Sequence, residues 1–320
     1  MPDMLTTCVI GGAGFIGRFV VEELLRRGDR QVVVVGREDD APHLPAAVRY
    51  VQHPPDTTTE LLIQTLSSVD EVIDLAYATV PQTSYQNPVN DILVNLPEAV
   101  RLFEQAAKLP LRKFVWISSG GTVYGPAHTV PQAEDHPTNP ISPYGITKLA
   151  IEKYAHMYFH FSKLPIVCVR PANAFGPNQR VYAGQGFVGT AIASLLDGRT
   201  IDIFGEEGTI RDYLHVHDMA TGIVAALIDG RPGEVYNLGS GEGHSNRHVV
   251  DILLPLARTQ SLTPEIRILS ARPFDVKSNV LDITKLHAHT GWQPAYSFSH
   301  SLQQTWEWYV ENYVRDPVSK

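Results

Sequence analysis

Tyr144 and Lys148 are the residues whose types and spacing point most directly to chemistry. They stand four positions apart in Ser142-Pro143-Tyr144-Gly145-Ile146-Thr147-Lys148, which on an α-helix puts both on one face, one turn apart. A free phenol has a pKa of about 10 and is a poor base at neutral pH; an ammonium beside it favours the phenolate and lowers that value. Such a pair is able to take a proton from a sugar hydroxyl. The same spacing also occurs on solvated helix faces, so the surrounding elements decide which applies.

Those elements begin at the N-terminus. Thr6-Thr7-Cys8-Val9-Ile10 is a β-branched run that leads directly into Gly11-Gly12-Ala13-Gly14-Phe15-Ile16-Gly17. A helical pattern follows from Phe15 to Arg27, with Phe19, Val20, Leu24 and Leu25 on one face and Gly28 as its stop. Strand, glycine turn and helix form the opening of a dinucleotide-binding unit. The glycines allow a tight turn and close approach to a pyrophosphate, and the helix N-terminus offers unpaired N–H groups to it. The next strand, Gln31 to Val35, ends in Gly36-Arg37, where an NAD site usually carries Asp or Glu for the ribose 2′-hydroxyl. A small residue followed by Arg37 leans instead to the 2′-phosphate of NADP, although Glu38, Asp39 and Asp40 follow directly.

Strands at 48–52, 72–75, 112–118 and 166–170 alternate with helices at 58–66 and 89–108. Alternation of this kind predicts an α/β fold with a Rossmann-like doubly wound parallel sheet, whose ligands sit beyond the carboxyl ends of its strands. Residues 1–173 are assigned to that domain. Residues 174–320 form mainly a smaller C-terminal α/β substrate lobe, with 208–238 returning to the first domain. At one strand end, Ser118-Ser119-Gly120-Gly121-Thr122-Val123-Tyr124-Gly125 places hydroxyls beside the expected nicotinamide position.

Composition bounds the partners. The apolar fraction of 43% and charged fraction of 19% are those of a soluble globular protein, and no apolar run reaches the length of a membrane span. The chain enters a strand almost at once, which leaves no room for a signal peptide and gives a cytoplasmic reading. A net charge of −8 argues against nucleic-acid binding, so an anionic ligand must be met by local arginines or backbone N–H groups. Cys8 and Cys168 each lie in a β-like run and read as buried thiols. His215-Val216-His217-Asp218 is read as a strand segment whose successive residues face opposite ways, so no metal site is assigned.

Taken together, the chain resembles the extended short-chain dehydrogenase/reductases of the NAD-dependent epimerase/dehydratase family, most of all the UDP-glucose (UDP-galactose) and UDP-N-acetylglucosamine 4-epimerases. The resemblance rests on Gly11 to Gly17, Asp74-Leu75-Ala76, Asn95, Val123-Tyr124-Gly125, Tyr144 with Lys148, and Arg170-Pro171-Ala172-Asn173. It continues through Arg211-Asp212-Tyr213 with Asp218, Arg272 with Asp275, and Gly291-Trp292-Gln293-Pro294. It implies a tightly bound NAD or NADP held by Gly11, Gly14, Phe15, Ile16, Gly17, Arg37, Leu75, Ala76, Asn95, Tyr144, Lys148 and Pro171. Tyr144 is then the acid and base, with Lys148 lowering its pKa. A UDP-sugar would be met by Thr122, Asn173, Arg211, Arg272, Asp275 and Asn279, and the protein would be a homodimer through the helices that begin near Val89 and Tyr144.

The sequence departs from the family where a Ser or Thr normally shares the hydrogen bond to sugar O4: that position is Gly120, and Ser119 or Thr122 must substitute, with Ser119 preferred. Dehydratases carry an Asp-Glu pair where this chain has Gly121-Thr122, neither of which can serve as acid or base, so dehydration is disfavoured. Asn279 aligns with a site where a bulky Tyr confines some 4-epimerases to non-acetylated sugars; its smaller volume predicts that the 2-acetamido sugars are tolerated. The alternatives are a nucleotide-sugar 4-ketoreductase, a UDP-uronate epimerase or decarboxylase, and, outside enzymes, a dinucleotide-sensing protein on the same fold.

Overall fold

The computed structural model describes residues 4–37, 44–53, 59–271 and 276–313, the first two of α2 by backbone alone. β1 (Leu5–Ile10) runs through the glycine turn into α1 (Phe15–Arg27), then β2 (Arg30–Gly36), β3 (Arg49–Gln52), α2 (Thr59–Leu66) and β4 (Glu71–Asp74). α3 (Pro81–Gln86) and α4 (Pro88–Ala106) precede β5 (Lys113–Ile117), and a long loop delivers the chain to α5 (Pro143–Ser162) and β6 (Ile166–Pro171). Beyond these come β7 (Asn173–Phe175), α6 (Phe187–Asp197), β8 (Ile201–Phe204), β9 (Ile210–His215), α7 (Val216–Asp229) and β10 (Val235–Leu238). The chain ends with β11 (Gly243–Ser245), α8 (Asn246–Thr259), β12 (Ile266–Leu269), β13 (Ser278–Asn279), α9 (Thr284–Thr290) and α10 (Phe298–Asn312).

Seven parallel strands in the order β3-β2-β1-β4-β5-β6-β10 form the large sheet. Its strands read as unbroken apolar runs because both faces are covered. Val9, Val34, Ile73, Val115 and Val169 face one way, into a core shared with Phe19, Val20 and Leu24 of α1 and with Met219, Ile223 and Leu227 of α7. Cys8, Val33, Val72, Phe114, Trp116 and Cys168 face the other way, toward Phe103 of α4 and Ile151 of α5. The order reverses between β1 and β4, and ligands of such sheets bind at the carboxyl ends around that switch. Both cysteines are buried, free thiols, and burial pushes the Cys8 thiol up to about 12. No helix of the described residues is long and apolar enough to cross a membrane.

The rest of the chain builds a second layer over those strand ends. β11, β9 and β13 pair in that order, with β7 joined to β9, while β8 pairs with β12. α6, α8 and α10 close a separate apolar core with Phe175, Tyr213, Trp306 and Tyr309. β10 adds to the edge of the large sheet beside β6, and α7 packs on α1, so part of the later chain returns to the first layer.

One local expectation gains a neighbour and one is corrected. The helix expected over 89–108 is preceded by the short α3, because the side chain of Asn87 accepts from the Asn90 N–H and Pro88 opens α4 afresh. The histidine-rich stretch is not one strand: β9 stops at His215, and His217 and Asp218 lie in the first turn of α7. There the Asp218 carboxylate accepts from the Ala295 and Tyr296 N–H groups and anchors the segment that leads into α10.

Candidate active site

The glycine turn is built to bring backbone close to a ligand. Gly11 has φ of 78°, and a Cβ on Gly17 would lie 2.3 Å from the Gly11 carbonyl oxygen and 2.6 Å from the Gly12 Cα. Those neighbours are backbone and cannot give way. α1 starts at Phe15 with no side-chain cap on its free N–H groups and no acidic residue in its first turn, which leaves a site of positive partial charge for an anion. A Cβ on Gly11 would lie 3.3 Å from the Ala76 N–H nitrogen and near Leu75, so the ends of β1 and β4 converge on this cradle. Asp74 sits beneath, accepting from the Ala76 N–H at 3.0 Å. Asn95 commits its amide internally, its oxygen accepting from Ala78 N–H and its Nδ2 donating to Thr79 Oγ1; it shapes the loop from below. Arg37 is exposed just past the tip of β2, and the acidic residues at 38–40 lie outside the described residues. The group that fits is a dinucleotide pyrophosphate. Gly17→Ala is expected to lower dinucleotide affinity at least about tenfold, roughly 1.4 kcal/mol, with an unchanged far-ultraviolet circular dichroism spectrum; the dinucleotide content of the purified protein measures it.

α5 carries the second group of residues. Ser142 caps it, its Oγ accepting from the Gly145 N–H, and Pro143 occupies the first helical position. Tyr144 therefore stands in the first turn, where the helix dipole favours a phenolate by about 0.3–1 kcal/mol. Gly145 allows close contact with the preceding turn: a Cβ there would meet the Thr122 carbonyl oxygen at 2.7 Å. One turn on, Lys148 is buried and donates to the Ile117 carbonyl oxygen at 2.8 Å. Thr147 donates to the buried Asp91 at 2.6 Å and ties α5 to α4.

Tyr144 and Lys148 are neighbours, but the arrangement does not lower the tyrosine pKa. The Lys148 ammonium is 5.8 Å from the Tyr144 ring centroid. Burial, with the Asp91 carboxylate adding to it, pushes the phenol above its ordinary value. Burial also lowers the Lys148 amine to about 7, against the opposing pull of Asp74, Glu152 and Asp91. The physical reason is desolvation: both groups sit where the charged form loses more solvation than its partner restores.

The turn after β5 faces α5. The Ser119 carbonyl accepts from the Val123 N–H, and the Gly120 N–H donates to the Pro171 carbonyl at the end of β6. Gly120 has no room for a side chain, since a Cβ would lie 2.5 Å from Leu281 Cδ1 and 2.9 Å from the Arg170 carbonyl oxygen. The Thr122 hydroxyl is buried without a protein partner among the described residues, a situation that costs about 1–3 kcal/mol unless a ligand or water fills it. Asn173 stands beside this turn, its Oδ1 3.4 Å from where a Gly121 Cβ would be.

Arg211 begins β9 level with Asn279 of β13, and its guanidinium donates to the Ile210 and Val276 carbonyls. Asn279 is 1% exposed. Its Nδ2 donates to the Gly120 carbonyl at 3.0 Å and to Gln132 Oε1 at 2.7 Å. Arg272 and Asp275 lie outside the described residues. No group of three or more His, Cys, Asp or Glu able to hold a metal ion occurs among the described residues.

The profile of the NAD dependent epimerase/dehydratase family matches residues 7–239, from β1 through β10. The chain belongs to this family. It is an enzyme, as the family's members are. A UDP-glucose 4-epimerase of Mycolicibacterium smegmatis is 32% identical over 311 residues, 95% of this chain and 98% of that one. The fold is shared with a UDP-glucose 4-epimerase of Thermotoga maritima solved with UDP-glucose, at 29% identity and a TM-score of 0.87 over 96% of this chain and 99% of that one. It is also shared with a UDP-glucose 4-epimerase of Thermus thermophilus solved with NAD, at 31% identity and a TM-score of 0.85 over 97% and 100%.

Within this family member the sequence reading missed Tyr77. Its ring lies with its centroid 3.8 Å from Lys148 Nζ and packs edge-on against Tyr144 at 5.0 Å. Its adjacency to Leu75-Ala76 was visible in the sequence, but its contact with residues about seventy positions later was not. Also missed was a buried fork: Arg170 donates to both oxygens of Glu152, at 3.0 and 2.7 Å, and Ser118 donates to the same carboxylate.

Proposed function

We propose that the protein is a nucleotide-sugar 4-epimerase that interconverts UDP-Glc with UDP-Gal, UDP-GlcNAc with UDP-GalNAc, or both pairs, using NAD. The observation that carries the reading is that α5, bearing Tyr144 and Lys148, packs against the turn after β5 that carries Thr122, in a chain whose glycine turn fits a dinucleotide. Held by the Gly11–Gly17 turn and the N-terminus of α1, the dinucleotide would supply reversible hydride acceptance at sugar C4. Tyr144 takes the O4 proton and later restores it. Lys148 stabilises the negative charge that develops on the phenol oxygen. Thr122 or Ser119 donates to or accepts from O4, since proton transfer and hydrogen-bond stabilisation are separable contributions. Asn173 and Arg211 meet the diphosphate, with Arg272 as a second guanidinium and Asp275 near the ribose. Gly121 and Thr122 supply neither acid nor base for elimination, which weighs against dehydration.

The test is to incubate the protein with each of the four UDP-sugars without added reductant and to follow the anomeric protons by NMR. Interconversion of a C4 pair supports the reading, and its absence for all four overturns it. A ketoreductase would instead show a stoichiometric change in cofactor absorbance.

The same reading includes a homodimer. α4 and α5 pack together and leave Val89, Ile92, Leu93, Ile146 and Tyr154 exposed, an apolar surface of the kind that marks an interface. The paired change Leu93→Glu and Ile146→Glu is expected to convert a two-chain mass to a one-chain mass in light scattering; an unchanged mass would remove this face from the interface.

A further inference from the structure

Lys148 presents a problem of solvation. Its ammonium has three N–H donors, the residue is only 3% exposed, and among the described residues one protein acceptor meets it, the Ile117 carbonyl at 2.8 Å. Two aromatic rings also face it. The Tyr77 ring centroid lies 3.8 Å from Nζ, and that of Trp116 lies 4.8 Å away. Both distances fall within the range in which the negative π-face of a ring attracts a cation, and the attraction strengthens when the cation is desolvated. Tyr77 also packs edge-on against Tyr144, centroids 5.0 Å apart at 70°, so one ring contacts both members of the catalytic pair.

We propose that Tyr77 is a positioning residue for that pair: its ring face, together with the indole of Trp116, keeps the Lys148 ammonium charged and fixes its distance from Tyr144. This rests on the Tyr144–Lys148 assignment made above. The ring, not the hydroxyl, does the work, because it is the π-face that meets Nζ.

The charged and titratable groups around Lys148 come from every element packed on it. Asp74 at the end of β4 is buried, and burial raises its carboxyl to about 6 against the pull of the Ala76 N–H and Lys148. Asp91 on α4 and Glu152 on α5 also favour the ammonium, while burial opposes it and brings the amine to about 7. Burial pushes the phenols of Tyr144 on α5 and of Tyr77 itself up. Burial brings the amine down toward neutrality, where a cation–π contribution favours the charged form. Removing the ring lowers the Lys148 pKa further, so the ammonium, and the activity that needs it, is lost at lower pH.

The test uses protein as purified, labelled with 13C at lysine Cε, with the Lys148 signal assigned by its absence in Lys148→Met. Tyr77→Phe keeps the ring and is expected to leave the Lys148 titration where it is in the unaltered protein. Tyr77→Leu removes the ring and is expected to move the midpoint down by roughly 0.4–1.5 pH units, with the alkaline limb of the epimerisation rate moving the same way. Tyr77→Met takes the same reading should the Leu variant not fold. A midpoint unchanged in Leu and Met variants overturns the proposal, as does a shift in Phe equal to theirs. Because the titration needs no turnover, it reads the clamp even if Tyr144→Phe retains activity, the result that would instead defeat the assigned acid and base.

Discussion

Tyr144→Phe is expected to lower the rate of C4 epimerisation by about 10²–10⁴-fold, with dinucleotide retained and the thermal transition unchanged. The substitution removes one oxygen and nothing else from the ring that packs on Tyr77. The phenol begins from an unfavourable position, because burial and Asp91 raise its pKa in the arrangement described here. Its ionisation must therefore be favoured in the working complex by the Lys148 ammonium and the N-terminal dipole of α5, so that the phenolate is in place to accept the proton of the sugar hydroxyl. A phenylalanine offers none of these a partner. Measuring the single-turnover rate separates chemistry from product release, and a loss under tenfold would show that another group carries the proton.

The second large effect concerns stability. Glu152→Ala is expected to destabilise the fold by about 3–5 kcal/mol, read as a lower urea midpoint at constant slope. Arg170 is 4% exposed and Glu152 equally so. Burial works against the Arg170 charge, and the two hydrogen bonds and attraction from Glu152 outweigh it. Taking the carboxylate away leaves a guanidinium in the interior with Tyr124 Oη and the Glu134 carbonyl as its remaining acceptors. It also strands the Ser118 hydroxyl at the end of β5. The double change Glu152→Met and Arg170→Met removes both charges and is expected to recover most of the loss. A single variant as stable as the double one would mean that the pair contributes little.

Features set by neighbouring residues were readable from the sequence. The bounds of α1 were legible because Gly14 and Gly28 punctuate an apolar helical period, and both glycines stand where the helix starts and stops. Tyr144 and Lys148 share a face because both belong to one helix. α3 was not legible: six residues with little apolar periodicity give too weak a signal, and its start depends on Pro81 and on Thr83 bonding the Val80 N–H. Nor was the setting of Gly120. Its missing side chain looked like a lost hydroxyl, whereas Leu281, from the far end of the chain, fills that space. Asn279 is similar, since its volume suggested room for a 2-acetamido group, and the bond of its amide to the Gly120 carbonyl was not visible in the sequence. Tyr77, Gly120 and Asn279 all owe their roles to through-space partners distant in sequence, which no local pattern encodes.

The bond from Asn279 to Gly120 joins residues 159 positions apart, and it bears on the order in which the molecule matures. A contact of that span closes a very long loop, so its entropic cost falls late, after the parallel sheet has formed from nearer partners. On the ribosome, the hydroxyl-bearing turn would emerge and dock on β6 well before the strand that secures it has been synthesised. A nascent chain would thus hold a cofactor cradle with an unfinished reaction centre. The setting of that turn would then be complete only once β13 has been synthesised and has paired with β9.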